Sequence, residues 1–157
     1  MHDAKTSTRW AVQRDYPLLG EIMFEAVRCG PSAYTEAERS AWVPAPRAGP
    51  AWDERLAAQD VIIAEKFGEE VGFMSLAAGG YVDFAFLRPA ARGQGLFRVM
   101  LDRIEARARA KGMKRLWSHV SLNAELAFTA LGFTVRRREV VSIGSERLAR
   151  CEMEKFL

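Results

Sequence analysis

A mixed α/β (α+β) domain, with a mostly antiparallel sheet of about six or seven strands flanked by four helices, is the fold class the sequence predicts. Three observations carry that expectation. Short apolar runs follow one another across glycine-containing turns in the middle of the chain and near its end, the pattern of strands paired in sequence order. Residues 15–29 and 95–111 instead space their apolar side chains at the helical period. No internal repeat and no dividing linker interrupts the 157 residues, so residues 1–157 form one domain of ordinary size.

Taken in order, Arg9-Trp10-Ala11-Val12 reads as a first strand, and Asp15 with Pro17 close behind starts a helix to Cys29. Its apolar face is Leu18, Ile22 and Ala26 with Leu19 and Met23 beside it, and Gly30-Pro31 stops it. Thr35 and Glu38 have the spacing of a capping box and open a second helix over 35–42. Pro44, Pro46, Gly49 and Pro50 form a break, and residues 52–58 read as a helical turn leading into a strand at 61–65. Phe67-Gly68-Glu69-Glu70 connects it to a strand at 71–77, and a further strand follows at 81–87. Arg88 precedes Pro89, which disfavours helix and ends that strand. The long helix at 95–111 turns Phe97, Met100, Leu101, Ile104 and Ala108 towards a sheet and closes at Gly112. A strand at 115–120, a helix at 123–131 ending at Gly132, and a hairpin of strands at 134–143 and 148–154 complete the chain.

Composition narrows the function. Hydrophobic residues are 49% and charged residues 27% of the chain, globular averages that exclude a disordered or collagen-like polymer. No apolar run approaches the roughly 20 residues that cross a bilayer, and the opening Met1-His2-Asp3-Ala4-Lys5-Thr6-Ser7-Thr8 has no apolar signal core, so the chain reads as cytoplasmic with no membrane partner. Cys29 and Cys151 have no metal-knuckle or disulfide spacing and read as free thiols in packed surroundings; no metal is expected. A formal net charge of +3 suits an anionic ligand and is too small to point to nucleic acid. Arg136-Arg137-Arg138, flanked by valines, reads as the solvated part of a strand.

The stretch from Phe86 to Arg98 carries the chemistry. A hydrophobic strand runs into Arg92-Gly93-Gln94-Gly95, which opens directly onto the long helix. Glycines let the backbone turn without Cβ clashes, Arg92 adds a charged fork, and the first N–H groups of the helix have no partner of their own, so the segment is a cradle for a phosphate-bearing ligand.

The element order, together with Leu87-x-Pro89-x-x-Arg92-Gly93-x-Gly95-Leu96 and Ser121-Leu122-x-Ala124-x-x-x-Phe128-x-x-x-Gly132-Phe133, resembles the GNAT superfamily of acetyl-CoA-dependent N-acetyltransferases over nearly the whole chain. Tyr34-Thr35 and Ala41-Trp42 resemble a branch whose fourth helix opens Ser-Leu-x-Ala. The resemblance implies the acyl-CoA N-acyltransferase fold, with acetyl-CoA as cosubstrate and a small-molecule or peptide amine as acceptor. It places the coenzyme A diphosphate on Arg92, Gly93, Gln94, Gly95, Leu96, Phe97 and Arg98, and the pantetheine arm along Ala85, Phe86 and Leu87 as an added strand. Main-chain groups of Leu87 would bond the arm's amides, and an N–H at or near Ala85 would polarise the thioester. Tyr34, Trp42 and Trp52, on the side covered by the first two helices, would form the acceptor pocket.

Two positions depart from that pattern. Phe97 stands where a small residue is usual and is expected to point into the core. Phe128, beside the coenzyme, stands where many relatives carry the tyrosine that protonates the leaving thiolate; water, Tyr81 or Ser121 would have to substitute. An amine with a pKa of about 10.4 must also lose a proton before attack, and His119 or Asp83 is the expected base. A coenzyme A-binding sensor without catalysis is the competing reading, and a nucleic-acid-binding domain using the arginines is a second. The C-terminal hairpin offers a surface for a homodimer.

Overall fold

A computed structural model describes residues 5–157, so Met1, His2, Asp3 and Ala4 of the opening segment lie outside the described residues. Among the described residues the chain forms β1 (Thr6–Trp10), α1 (Tyr16–Arg28), α2 (Glu36–Trp42), α3 (Pro50–Ala57), β2 (Asp60–Lys66), β3 (Glu69–Leu76) and β4 (Ala85–Leu87). It continues through α4 (Leu96–Ala110), β5 (Arg115–Ser121), α5 (Glu125–Ala130), β6 (Thr134–Ile143) and β7 (Glu146–Phe156). The seven strands fall into an antiparallel sheet ordered β1-β2-β3-β4 and a second ordered β5-β7-β6.

Local chemistry explains the element ends. Glu38 N–H donates to Thr35 Oγ1 (3.1 Å) and Thr35 N–H to Glu38 Oε1 (2.8 Å), so the capping box opens α2 as its spacing predicts. Phe67 and Gly68, with φ of 53° and 76°, make the two-residue turn that joins β2 to β3. Asp15 makes no side-chain cap on α1; its carboxylate accepts the Val12 N–H at 2.8 Å and pairs with Arg9.

The core has two layers around β2 and β3. On one face Leu19, Ile22, Leu56, Val61, Ile63, Phe73 and Phe84 pack beneath α1 and α3. On the other, Ile62, Met74, Met100, Leu101, Ile104, Phe133 and Met153 pack beneath α4. Alternation along the strands sends Ile62 and Ile63 to opposite layers. Each such aliphatic side chain contributes about 1.5–3 kcal/mol relative to exposure.

The structure corrects four expectations. Residues 50–57 are a full helix, α3, because Pro50 enters at its first turn behind Gly49, and this makes five helices rather than four. The expected strand at 81–87 is regular only over Ala85–Leu87. Before it, side chains replace the ladder: Ser75 Oγ accepts the Phe84 N–H at 3.0 Å and Ser118 Oγ donates to the Val82 carbonyl at 2.7 Å. The expected single sheet is split. Tyr81 bridges in parallel to Trp117, and Val82 N–H donates to the Trp117 carbonyl at 2.8 Å, after which β4 and β5 diverge. Finally, Cys151 is buried as expected but Cys29 is exposed.

Candidate active site

The amino end of α4 forms one wall of the opening between the sheets. Gly95, with φ of 76°, occupies the N-cap in the left-handed region and brings no capping side chain. The N–H groups of Leu96, Phe97 and Arg98 therefore face outward, and the Val99 N–H is the first to find a helix acceptor, at Gly95 O (3.3 Å). A Cβ added at Gly93 or Gly95 would meet no heavy atom within 4 Å, so the cradle is open on its outer side. Such an end seats an anion on main-chain donors.

The free edge of β4 continues the wall. Arg88 N–H donates to Val71 O (2.8 Å) and Ser75 N–H to Phe84 O (2.9 Å), so residues 84, 86 and 88 turn their main-chain groups towards β3. By antiparallel alternation the N–H and carbonyl groups of Ala85 and Leu87 face the opposite side, where β4 is the sheet's edge. These groups border a cleft of about 260 Å³ lined by Phe86, Leu87, Gly93, Phe97, Ser121 and Ala127 among others. An extended ligand with amides can add to such an edge as a strand.

A second cleft, of about 310 Å³, adjoins the first and shares Trp42, Ala85, Phe86, Ser121 and Ala124 with it. His119 on β5 and Tyr81 face it together, with Tyr81 Oη 2.8 Å from His119 Nδ1. Glu139 and Glu152 lie behind the ring, 3.7 and 3.9 Å from Nε2. Those carboxylates favour the tautomer with its proton on Nε2, which leaves Nδ1 to accept from the tyrosine. Burial, aided by Arg150, holds the His119 imidazolium below the ordinary histidine range, so the ring is neutral at pH 7. Burial, with Asp83 nearby, pushes the Tyr81 phenol up and keeps it protonated. The pair can pass a proton between the cleft and Nδ1.

A family model of the acetyltransferase (GNAT) domain matches residues 32–154, more than half of the chain. The chain belongs to the GNAT acetyltransferase family. The GCN5-related N-acetyltransferase of Rhodopseudomonas palustris is 27% identical, with a TM-score of 0.89 over 100% of this chain and 99% of that one. A phosphinothricin acetyltransferase of Sinorhizobium meliloti, in complex with AcCoA, is 20% identical with a TM-score of 0.71, covering 98% of this chain and 89% of its own. PaiA N-acetyltransferase of Thermoplasma acidophilum, in complex with coenzyme A, is 19% identical with a TM-score of 0.71, covering 97% and 99%. At such identity the last two speak for the fold. No curated protein sequence matches the chain. No helix among the described residues is long and apolar enough to cross a membrane, and no group of three or more metal-ligating side chains occurs among them.

Within this GNAT domain Ala85, Phe86, Leu87, Arg92, Gly93, Phe97, Trp42, Asp83, His119 and Phe128 line the two adjoining clefts. Phe97 packs on the core, as expected, and on Phe128, 6.3 Å between ring centroids; being only partly buried, it also lines the cleft. Phe128 is buried against Phe97 and Phe133 and offers no proton. Leu96 is buried as an anchor, and Arg98 is exposed with a long bond to Ala130 O (3.4 Å). Gln94 accepts from Lys66 and donates to Ala90 O (3.1 Å).

Four of the predicted side chains are held by hydrogen bonds to neighbouring groups, although Arg92 borders the first cleft, Asp83 the second, and Tyr34 a small cleft beside His119 and Arg150. Arg92 donates to Ala26 O (2.7 Å) and Pro31 O (3.4 Å), so its fork ties the end of α1 to the cradle instead of extending freely into it. Asp83 has both oxygens occupied, by Arg55 at 2.7 and 2.9 Å and by Gln59 at 2.7 Å, which makes it a holder of Arg55 rather than a free base. Trp52 is 4% exposed and donates its indole N–H to Tyr16 O (2.8 Å), a core position. Tyr34 is 7% exposed, and its hydroxyl donates to Ala149 O (2.6 Å) and accepts from Leu122 N–H (2.9 Å), pinning β7 to the start of α5. Sequence reasoning missed Arg47, Arg55 and Arg150, which line the second cleft. No motif marks them, since they come from a proline-rich connection, a short helix and the last strand.

Proposed function

We propose that the protein transfers the acetyl group of acetyl-CoA to a primary amine by direct attack, with Tyr81 and His119 moving the proton. One observation carries this reading: the cleft beside the amino end of α4 and the unpaired edge of β4 shares Trp42, Ala85, Phe86, Ser121 and Ala124 with the cleft that holds the Tyr81–His119 pair. The residues present suit the ligand. N–H groups over 93–98 would take the diphosphate, Leu87 the amides of the arm, and the Ala85 N–H the thioester oxygen as charge develops there.

Tyr81 sits where it would receive the amine's proton while its own proton passes to His119 Nδ1. The imidazolium so formed is stabilised by Glu139 and Glu152. The same pair then returns the proton to the departing thiolate, so one amine and one thioester give one amide and one thiol. This shuttle stands in for the tyrosine that Phe128 lacks. A thiol with an ordinary pKa of about 8.5 needs only modest help to leave.

Calorimetric titration with acetyl-CoA, followed by thiol release in the presence of amines, tests the reading. Binding in the micromolar range with amine-dependent thiol release is the expected result. Binding with no release across an amine panel would mark a coenzyme sensor, and no binding at millimolar ligand would overturn the proposal altogether.

A further inference from the structure

The acceptor-side cleft is unusually rich in guanidinium groups. Its charged lining, His119 apart, consists of Arg47, Arg55, Arg150 and Asp83. Asp83 is committed to Arg55 by two hydrogen bonds, which leaves the other two arginines to be accounted for.

Arg47 is half-buried and, among the described residues, has no carboxylate within 4 Å and no hydrogen-bond partner. Its position is fixed by its main chain. A Cβ at Gly20 of α1 would stand 1.9 Å from the Arg47 carbonyl oxygen, so this connection seats directly on the helix, beside the fully buried Val43. Arg150 meets Glu139 only at 3.6 Å, and its Nε is buried without a partner. A buried N–H of a charged group with no acceptor is costly, and Arg150, together with the unpaired guanidinium of Arg47 in the lining of the same cleft, leaves donors there for an anion.

Electrostatics points the same way. A bare ammonium ion would be repelled by this lining, whereas an amine that carries its own carboxylate enters as a neutral zwitterion. Once bound, the nearby guanidinium groups favour loss of the ammonium proton, which attack requires. Burial, with Arg55 close by, depresses Arg47, and Asp83 offsets this only in part. Met23, Trp42, Phe84 and Phe86 supply apolar walls for the remainder of the molecule.

We propose that the acceptor is an amino carboxylate of amino-acid type with an apolar side chain, its carboxylate gripped by Arg47 with Arg150 as second donor. This specificity rests on the acetyl-transfer reading above, and the test separates the two. Thiol release by the full chain is compared for phenylalanine, phenylalaninamide and phenethylamine. In parallel, phenylalanine is titrated calorimetrically into the coenzyme A-saturated protein.

Phenylalanine should exceed the other two in kcat/KM by roughly 10- to 100-fold, the range set by charge-assisted hydrogen bonds. The amide's amine is the least basic of the three and so the most readily deprotonated, hence ease of deprotonation alone would put phenylalaninamide ahead of phenylalanine. Arg47→Gln should abolish this preference through KM while keeping the parent's acetyl-CoA Kd, and Arg47→Lys should restore part of it. Parity among the three amines, or an unchanged preference in Arg47→Gln, overturns the subsite and leaves the transferase reading standing. Arg47-dependent binding of phenylalanine without thiol release keeps the subsite and removes the transferase reading.

Discussion

The two halves of the opening between the sheets are built from different materials. On the side proposed for the acyl donor the open groups are main-chain: N–H groups at the amino end of α4 and the edge groups of Ala85 and Leu87. On the acceptor side they are side chains gathered from five places, with Arg47 between α2 and α3, Arg55 on α3, Tyr81 before β4, His119 on β5 and Arg150 on β7. The difference teaches how one scaffold can hold its donor constant and vary its acceptor. Main-chain recognition depends on register and glycine and tolerates changes of side chain. Side-chain recognition can be rewritten at single positions.

Substitutions that strike one half and spare the other test this division. His119→Ala should cost the most, a roughly 10²- to 10⁴-fold loss in kcat/KM, with an unchanged acetyl-CoA Kd by calorimetry. The parent's pH profile fixes the sign. The imidazole must be neutral to accept a proton, and burial lowers its pKa. The acidic limb should therefore lie below the ordinary histidine range, the rate falling as the pH drops through that depressed value, and His119→Ala loses this limb.

Gly95→Val strikes the donor half. A branched residue at φ of 76° costs about 1–3 kcal/mol of backbone strain, and its side chain would enter the open face of the cradle. Acetyl-CoA binding should weaken roughly 10- to 100-fold while the amine preference stays as in the parent. A smaller effect is expected at Asp83. Asp83→Asn loosens Arg55 and should lower kcat/KM by about 5- to 10-fold, within the range of a hydrogen-bonded charge pair, with the acidic limb of the pH profile in place. If that limb vanished, Asp83 rather than His119 would be the base.

Arg92→Ala gives the smallest functional change. Its fork bonds the carbonyls of Ala26 and Pro31, so unfolding should cost about 1 kcal/mol less in a denaturant titration. The acetyl-CoA Kd should move by less than about 3-fold, because the seat is main-chain.

The same division explains what the sequence disclosed. Glycines 93 and 95, the proline after Arg88 and the apolar face of α4 are local signals with local causes, and they mark the end of β4 and the turn into α4. His119 was legible as a titratable group on a strand. Arg47 was not, because nothing in a proline-rich connection states that its carbonyl will rest on Gly20 and its guanidinium will turn into a cleft. The hydrogen bonds of Trp52 and Tyr34 were not legible for a related reason: an amphipathic aromatic suits a pocket or a core equally well, and nothing local points to the carbonyls of Tyr16 and Ala149. Arg92 and Asp83 suit an anion binder and a base by residue type, and the sequence does not disclose the hydrogen bonds they make with partners distant in the chain.

Residue-resolved amide hydrogen exchange, with and without acetyl-CoA, tests the central claim most directly, because the claim concerns main-chain donors. The account predicts slowed exchange concentrated at residues 93–98 and at Ala85 and Leu87 when the ligand is present. Saturable binding that leaves those amides exchanging at their free rates would contradict it.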